Sequence, residues 1–561
     1  MTDELRRRIR VARGEEPADL LFRNARVVNV FNGEIEDASV AVCDGVIAGV
    51  GDYEKAQEII DLRGAYIIPG FIDGHTHIES SMLDIRQYAR AVVARGTTGL
   101  VTDLHELTNV VGIDGIKYIL NAAKTLPLDL HVMAPSCVPA THLETSGATL
   151  TAEDVARVLR MPGVIGLGEM MNFPGVLFGD TGVLDKIEAT GGGIVDGHAP
   201  GLGGKDLNAY AGAGISSDHE STRIEEAREK LARGLHIMIR EGSTEKNLAD
   251  LLPLVTPQTS RRCMFVVDDR SCADLKRDGD MDAIVRKAVK LGLEPVTAIQ
   301  LATINLAEYF GMRWVGAVAP GYRANLLVGD DLEQINIRQV YCGGKLAAEN
   351  GEALFATRGK APAKLCRTMN VKPFGVADLA MDLVELMPVI EVIPGQIVTR
   401  YLKETLDVVP DLEREMLKIV VVERHKATGN IGKGLVKGFG MTRGALASSV
   451  AHDSHNIVAV GASDEDIYAA VNEVIRMGGG LAVVAGGEVS ARLPLPIAGL
   501  MSDQPLDKVV AALERVESAA RDIGVKLPAP FAALSFLALP VIPELKLTDL
   551  GMVDVGAFKL I

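Results

Sequence analysis

The chain contains 561 residues, of which 48% are hydrophobic and 24% charged, and its formal net charge at pH 7 is −16. This length exceeds what one hydrophobic core supports and predicts roughly two to four domains, while the acidic balance argues against binding to nucleic acid or to an anionic membrane. The six cysteines lack CxxC spacing and the charged N-terminus lacks the apolar core of a signal peptide, so we expect a cytoplasmic protein with free thiols.

Two separate β-rich segments are expected to form one domain. Residues 1–68 are its predicted N-terminal part, and turn signals such as Asn32-Gly33 separate four apolar runs: Leu21–Val30, Ser39–Val42, Val46–Val50 and Ala65–Ile68. Residues 313–362 are its predicted C-terminal part, with three similar runs: Val315–Val318, Ala324–Val328 and Gln339–Tyr341. Because the ends of the intervening segment must lie close together, we predict a composite β-sandwich domain.

The intervening residues 69–312 alternate short apolar runs with helix-like segments. Eight runs are found: Phe71–Asp73, Thr98–Thr102, Leu128–Ala134, Val164–Leu167, Gly193–Asp196, Gly214–Ser217, Leu235–Ile239 and Met264–Val267. Eight strand–helix alternations in about 240 residues match the size of a (β/α)8 TIM barrel. A doubly wound open sheet is the alternative. We favour the barrel because histidines and carboxylates follow many of the runs, and a closed ring makes them converge.

Residues 363–561 are predicted to form an additional C-terminal α/β domain, which completes an α/β fold. Helical patterns cover Asp464–Met477 and Leu506–Ile523. A glycine-rich stretch at residues 429–434 lacks the full phosphate-loop pattern, so we interpret it as a turn.

The first run of the barrel ends in His75 and His77, which lie two residues apart and face the same side of a strand. Two histidines this close are weak evidence alone. Other ligand types follow later runs: Glu169, His198, His219 and Asp268. Four imidazoles and two carboxylates can hold two divalent ions, with Glu169 bridging them, and this ligand set suits Zn, Fe or Mn. Asp268 would bind one ion and take a proton from the bound water, whose pKa such a metal lowers to about 7.

The residues from Pro69 to His77, followed by these ligands, resemble the amidohydrolase superfamily, and the segment from Gly316 to Leu326 resembles its return into the β domain, apart from Asn325 where aspartate is frequent. Within it, four strings resemble the adenine deaminase family: His77–Met82, Met238–Ser243, Val267–Arg270 and Ala447–Asn456. The resemblance spans nearly the whole chain. It implies hydrolysis of adenine to hypoxanthine and ammonia with two divalent metal ions bridged by Glu169, and we expect Mn or Fe, with Zn as an alternative.

The resulting hypothesis is that a metal-bridging hydroxide attacks C6 of the purine. Asp268, or its neighbour Asp269, would carry the proton to the departing amino group. We expect Glu79 and His105 to take part in catalysis, and a second group of residues to bind the substrate: Asp103, Glu106, Arg240, Ser454 and His455. The last two belong to a polar cluster at residues 452–455. We favour a structural network over direct catalysis for this cluster, although its closure over the barrel mouth would exclude water from the reacting complex.

Other functions remain open at this point. A different amidohydrolase acting on another aminated heterocycle or on a cyclic amide would keep the same metal residues, although hydantoinase-like and dihydroorotase-like enzymes are disfavoured because no lysine follows the fourth run. A non-catalytic scaffold would be expected to have lost ligands. The absence of a Pro-Cys-x-x-Cys pair excludes a nucleic-acid deaminase of that kind. We expect a homodimer whose only ligands are adenine, water and metal.

Overall fold

The structure is a computed structural model that describes residues 2–561. It begins with a helix, α1, at Thr2–Ala12, which the sequence analysis did not predict. Five strands follow, of which β4 was also not predicted: β1 (Ala18–Val28), β2 (Ile35–Cys43), β3 (Val46–Gly51), β4 (Ala56–Asp61) and β5 (Tyr66–Pro69).

All eight predicted barrel strands are present, in order: β6 (Phe71–Thr76), β7 (Thr97–Asp103), β8 (Asp129–Ala134), β9 (Val164–Met170), β10 (Ile194–Gly197), β11 (Ser217–Asp218), β12 (His236–Arg240) and β13 (Cys263–Val266). Neighbouring strands pair in parallel from β6 to β10 and from β11 to β13. The ring closes where Thr76 bridges Asp268 in parallel and where the Ser216 amide donates to Val195. The predicted TIM barrel is therefore confirmed.

Thirteen helices lie between these strands or follow the last of them: α2 (Ile85–Val93), α3 (His105–Val111), α4 (Ile113–Ala123), α5 (Ala152–Leu159), α6 (Phe173–Phe178), α7 (Thr181–Glu188), α8 (Gly204–Gly212), α9 (Ile224–Ala232), α10 (Leu248–Leu251), α11 (Cys272–Arg277), α12 (Met281–Lys290), α13 (Pro295–Leu301) and α14 (Ile304–Tyr309). Helix α2 shows why they form. The Asp84 side chain caps its first turn by accepting from the Arg86 amide, and Ile85, Tyr88 and Val92 make one apolar stripe that is buried. Such helices bury the outer face of the ring and leave its carboxyl end open to the site.

The chain then returns to the first domain in four strands: β14 (Leu326–Gly329), β15 (Ile337–Cys342), β16 (Lys345–Glu349) and β17 (Glu352–Ala353). Strand β14 pairs antiparallel with β5, which joins both segments into one nine-stranded sheet. Val46 also bridges Arg323, so the sheet folds back on itself and the composite domain is confirmed.

The predicted strand at Val315–Val318 is wrong. Gly316 and Ala317 form a bend, and Gly316 has a φ of +81° in the left-handed region. A Cβ atom there would approach Thr303 and Ala307 at 3.1 Å, so this segment packs closely on α14 rather than extending into the sheet.

The C-terminal domain is built on an eight-stranded sheet and a smaller three-stranded sheet. Its strands are β18 (Met387–Val392), β19 (Thr399–Glu404), β20 (Leu417–Val422), β21 (Ile431–Lys437), β22 (Ala445–Ser448), β23 (Ile457–Gly461), β24 (Gly480–Ala485), β25 (Glu488–Pro494), β26 (Leu545–Thr548), β27 (Gly551–Asp554) and β28 (Lys559–Leu560). Its helices are α15 (Asp464–Arg476), α16 (Leu506–Asp522) and α17 (Pro530–Phe536). The domain boundaries that we placed after residues 68, 312 and 362 stay predictions. Among residues 2–561, no helix has the length and apolar character needed to span a bilayer.

Candidate metal centre and active site

The six predicted metal ligands meet at the carboxyl end of the barrel. His75 is the penultimate residue of β6 and His77 directly follows that strand, Glu169 lies near the end of β9, and the other three follow their strands within two residues: His198, His219 and Asp268. All but His198 are at most 5% exposed. Parallel strands point their carboxyl ends to one face, so residues distant in sequence converge there.

One group forms around Asp268. Its Oδ1 atom lies 3.5 Å from His75 Nε2 and 3.3 Å from His77 Nε2, and His77 Nε2 also lies 3.3 Å from Glu169 Oε1. Asp268 has a φ of +65°, which is uncommon for a residue with a side chain. Its backbone is fixed there because its amide donates to the His75 carbonyl and its carbonyl accepts from the Thr76 hydroxyl.

A second group forms around the other carboxylate oxygen of Glu169. Glu169 Oε2 lies 2.5 Å from His198 Nδ1 and 3.2 Å from His219 Nε2. The two oxygens of Glu169 therefore face two different sets of imidazoles.

These spacings fit divalent ions. Two ligands held about 2.1 Å from one tetrahedral ion are about 3.4 Å apart, close to most of the nitrogen–oxygen separations in both groups. His75 Nε2 is buried and has no hydrogen-bond partner among residues 2–561, although it faces Asp268. A buried polar atom without a partner is costly, and a metal ion between it and the carboxylate would remove that cost.

The carboxylates of both groups are charged. Burial raises the pKa of Glu169, but the His198 and His219 imidazoles lower it overall to well below its usual value. Burial likewise raises the pKa of Asp268, and the His75 and His77 imidazoles hold it well below its usual value. The site thus offers the anionic oxygens and imidazole nitrogens that Mn, Fe and Zn accept.

Asp103 supports the ligands from behind. Its carboxylate accepts from the amides of Glu169 and His105, and its carbonyl oxygen lies 3.1 Å from His77 Nδ1. A Cβ atom on Gly168 would approach Asp103 Oδ2 at 1.9 Å, so this arrangement requires glycine before Glu169. Contacts of this kind fix the orientation of a ligating histidine.

A cavity of about 240 Å³ lies above these groups. His77, Glu169, His198, His219 and Asp268 line its inner side, which we call the metal floor. The opposite side comes from three segments of the C-terminal domain, which we call the C-terminal wall: Ile397 and Val398; His452 and Asp453; and Phe536, Leu539, Val541, Ile542 and Pro543. The site is therefore shared between two domains.

Lys546, at the start of β26, joins two parts of that wall. Its ammonium is fully buried and donates to the carbonyls of Ile397 at 2.8 Å and Phe536 at 3.0 Å. Burial lowers the pKa of Lys546 to about 7.

Comparison with known proteins agrees with this architecture. Residues 66–347 match the amidohydrolase family, and residues 395–559 match the adenine deaminase C-terminal domain. An adenine deaminase of Dehalococcoides mccartyi is 62% identical over 100% of this chain and 99% of its own length. The chain belongs to the adenine deaminase family. Adenine deaminases of Desulfatibacillum aliphaticivorans (50% identical) and Halalkalibacterium halodurans (45%) match 99% and 100% of this chain and 98% of their own. Membership of the amidohydrolases implies a divalent metal centre.

The residues that we predicted to take part in catalysis differ in their access to the cavity. Asp269 and His105 line it, and Asp269 accepts a hydrogen bond from Ser80. Glu79 does not line the cavity. It lies in a short 3-10 turn, Ile78–Ser81, where it accepts from the Leu107 amide at 3.0 Å, and burial raises its pKa to about 7.

The predicted substrate-binding residues separate in the same way. Glu106 and Arg240 line the cavity, whereas Asp103, Ser454 and His455 do not. His455 is fully buried, and its Nδ1 accepts from the Ala451 amide at 3.1 Å, so its ring stabilises the turn that carries it.

Glu220 was missed by the sequence analysis. It directly follows His219, and its Oε1 atom lies 3.5 Å from His219 Nε2 and 3.7 Å from His198 Nδ1. Arg240 donates to both Glu220 oxygens and, at 3.0 Å, to Asp268 Oδ2. The only signal for Glu220 was its position next to a predicted ligand, whereas its link to Asp268 through Arg240 depends on strands separated in sequence.

Proposed function

We propose that this chain hydrolyses adenine to hypoxanthine and ammonia with two divalent metal ions, Mn or Fe, with Zn as an alternative. The observation that supports it best is the position of Glu169, whose two oxygens face two sets of imidazoles in a chain matching the adenine deaminases over its full length. One ion would be held by His75, His77, Asp268 and Glu169, and the other by His198, His219 and Glu169. When bound, such ions lower the pKa of water and supply a nucleophile at neutral pH.

The protein side chains then manage the protons. Water adds to C6, one proton moves from it to the amino nitrogen, another reaches N1, and ammonia leaves. We assign the first transfer to Asp268, with Asp269 as its alternative. Arg240 supports this role because it holds Asp268 Oδ2 while Oδ1 faces the histidines.

The proton for N1 requires a group at the cavity surface. Of the residues predicted for catalysis or substrate binding just after the first two barrel strands, His105 and Glu106 line the cavity, whereas Glu79 and Asp103 do not. We therefore assign the transfer to His105 or Glu106, and supporting roles to the other two. The apolar part of the C-terminal wall would exclude bulk water during these steps.

The test is an assay of purified protein reloaded with Mn, Fe or Zn, in which hypoxanthine and ammonia are both measured. Equal amounts of the two products from adenine are expected. Metal-loaded protein that leaves adenine unchanged but hydrolyses another aminated heterocycle or a cyclic amide would instead favour the alternative function. The homodimer and the cytoplasmic location stay predictions; light scattering of the purified protein tests the first.

A further inference from the structure

His452 is the polar side chain of the C-terminal wall whose orientation is fixed on two sides. Its Nδ1 atom lies 2.9 Å from Glu106 Oε1, on the barrel. Its ring stacks on Phe536 with a centroid distance of 4.6 Å and an interplanar angle of 19°. An ion pair and an aromatic stack from two directions leave the imidazole little rotational freedom.

The second ring nitrogen of His452 remains available. Among residues 2–561, no side chain or backbone group forms a hydrogen bond with Nε2, and the ring lines the cavity. Leu539, Val541 and Ile542 line the same wall, in which the other polar side chain is Asp453, so this nitrogen is one of few polar groups on a mainly apolar surface. A pocket of this kind uses few polar groups to orient a ligand.

The charge of His452 decides which ligand atoms suit it. Burial lowers the pKa of His452, but the adjacent Glu106 carboxylate raises it overall to about 9. The ring is then an imidazolium at neutral pH, in which both nitrogens donate. A purine offers complementary acceptors: N1 takes a proton during the reaction, which leaves N3 and N7, and its flat ring suits an apolar wall.

We propose that His452 contacts the substrate, donating a hydrogen bond from Nε2 to a purine ring nitrogen, N3 or N7, and that the C-terminal domain thereby selects the base. This rests on the proposed adenine deamination. Phe536 acts as a positioning residue, because its stacked ring fixes the plane in which the His452 imidazole faces the substrate. Glu106 holds the same imidazole against the barrel through the ion pair.

The test compares wild type with His452→Gln on adenine, 3-deazaadenine and 7-deazaadenine. For adenine, kcat/KM should fall roughly 10- to 100-fold in the variant, the range for a hydrogen bond to a charged group. One of the two analogues lacks the nitrogen that His452 contacts. With that analogue, kcat/KM of wild type should fall by a similar factor relative to adenine, whereas kcat/KM of the variant should fall little further. Phe536→Leu should reproduce part of the effect. His142→Gln is the matched control, because His142 is exposed and packs on Phe558 outside the cavity.

The proposal is overturned if His452→Gln keeps the wild-type kcat/KM for adenine. It is also overturned if each analogue lowers kcat/KM by the same factor in the variant as in wild type, which would indicate a structural role only. Metal content and melting temperature are measured for each variant. Should His452→Gln fail to fold, the Phe536→Leu comparison across the three substrates decides the question by the same criterion. Failure of wild type on adenine would overturn the proposed function itself, a separate result.

Discussion

The metal floor and the C-terminal wall face each other across one small cavity but are built in opposite ways. The floor consists of imidazoles and carboxylates from five barrel strand ends, and the His77 and His219 Nε2 atoms lie 3.2–3.3 Å from carboxylate oxygens of Glu169 and Asp268. The wall is mainly aliphatic and aromatic, and it gathers three distant segments of another domain. This contrast suggests a division of labour in which the floor carries out the chemistry and the wall recognises the base.

Glu169→Gln should have the largest effect, because both groups of the floor share this side chain. We expect metal content to fall below two per chain and kcat/KM to fall by more than about 10⁴-fold, beyond the range of a single acid–base group. Metal analysis and the adenine assay on the same sample measure both. Glu144→Gln is a matched control, since Glu144 is buried but lies outside the cavity; equal losses in the two variants would refute the special role of Glu169.

Asp268→Asn should follow, with kcat reduced roughly 10²- to 10⁴-fold, because the amide cannot accept the proton assigned to Asp268. Steady-state kinetics with measured metal occupancy test this. Asp269→Asn is the companion variant: a larger loss there, with Asp268→Asn near wild type, would transfer the role to Asp269.

Arg240→Met should cost about 10- to 100-fold in activity, the usual effect of removing a group that orients a metal ligand. The loss arises because Glu220 and Asp268 Oδ2 lose a shared partner. Activity is measured against added metal. Full activity at wild-type metal concentrations would show that Asp268 is held adequately without Arg240.

Lys546→Met tests the wall and should have the smallest effect, a rise in KM of about 2- to 10-fold with kcat little changed. It frees the carbonyls of Ile397 and Phe536, which belong to the wall and not to the metal floor. A fall in kcat alone, at constant KM, would contradict this division.

Lys546 also predicts a pH dependence of stability. Its pKa is about 7 in the fold but about 10.4 when unfolded, so between these values the unfolded chain binds more protons and folding becomes more favourable as pH rises. Between these two values the free energy of unfolding rises by at most about 1.4 kcal/mol per pH unit; the gain is complete above the unfolded pKa and is lost as pH falls to 7. Melting temperatures of wild type relative to Lys546→Met should therefore increase from pH 7 to 10; a constant difference would contradict the lowered pKa.

The floor could be predicted from sequence and the wall could not, for a physical reason. Parallel strands in a barrel bring their carboxyl ends together, so a histidine or carboxylate after each strand signals a common site. The wall depends on packing between domains, which no local pattern encodes. In its polar cluster, Ser454 and His455 were predicted to bind substrate, yet neither lines the cavity, and the His455 ring accepts from the Ala451 amide instead. His452 and Asp453 line it. The missed α1 and the wrong strand at Val315–Val318 likewise reflect tertiary packing.

The most direct test of the metal floor is a titration of metal-free protein with Mn, Fe or Zn in which bound metal and adenine turnover are measured in the same sample. The two groups joined by Glu169 predict that hypoxanthine and ammonia form only as occupancy approaches two ions per chain. Full turnover at one ion per chain, or turnover in protein that binds no metal, would contradict the shared role of Glu169.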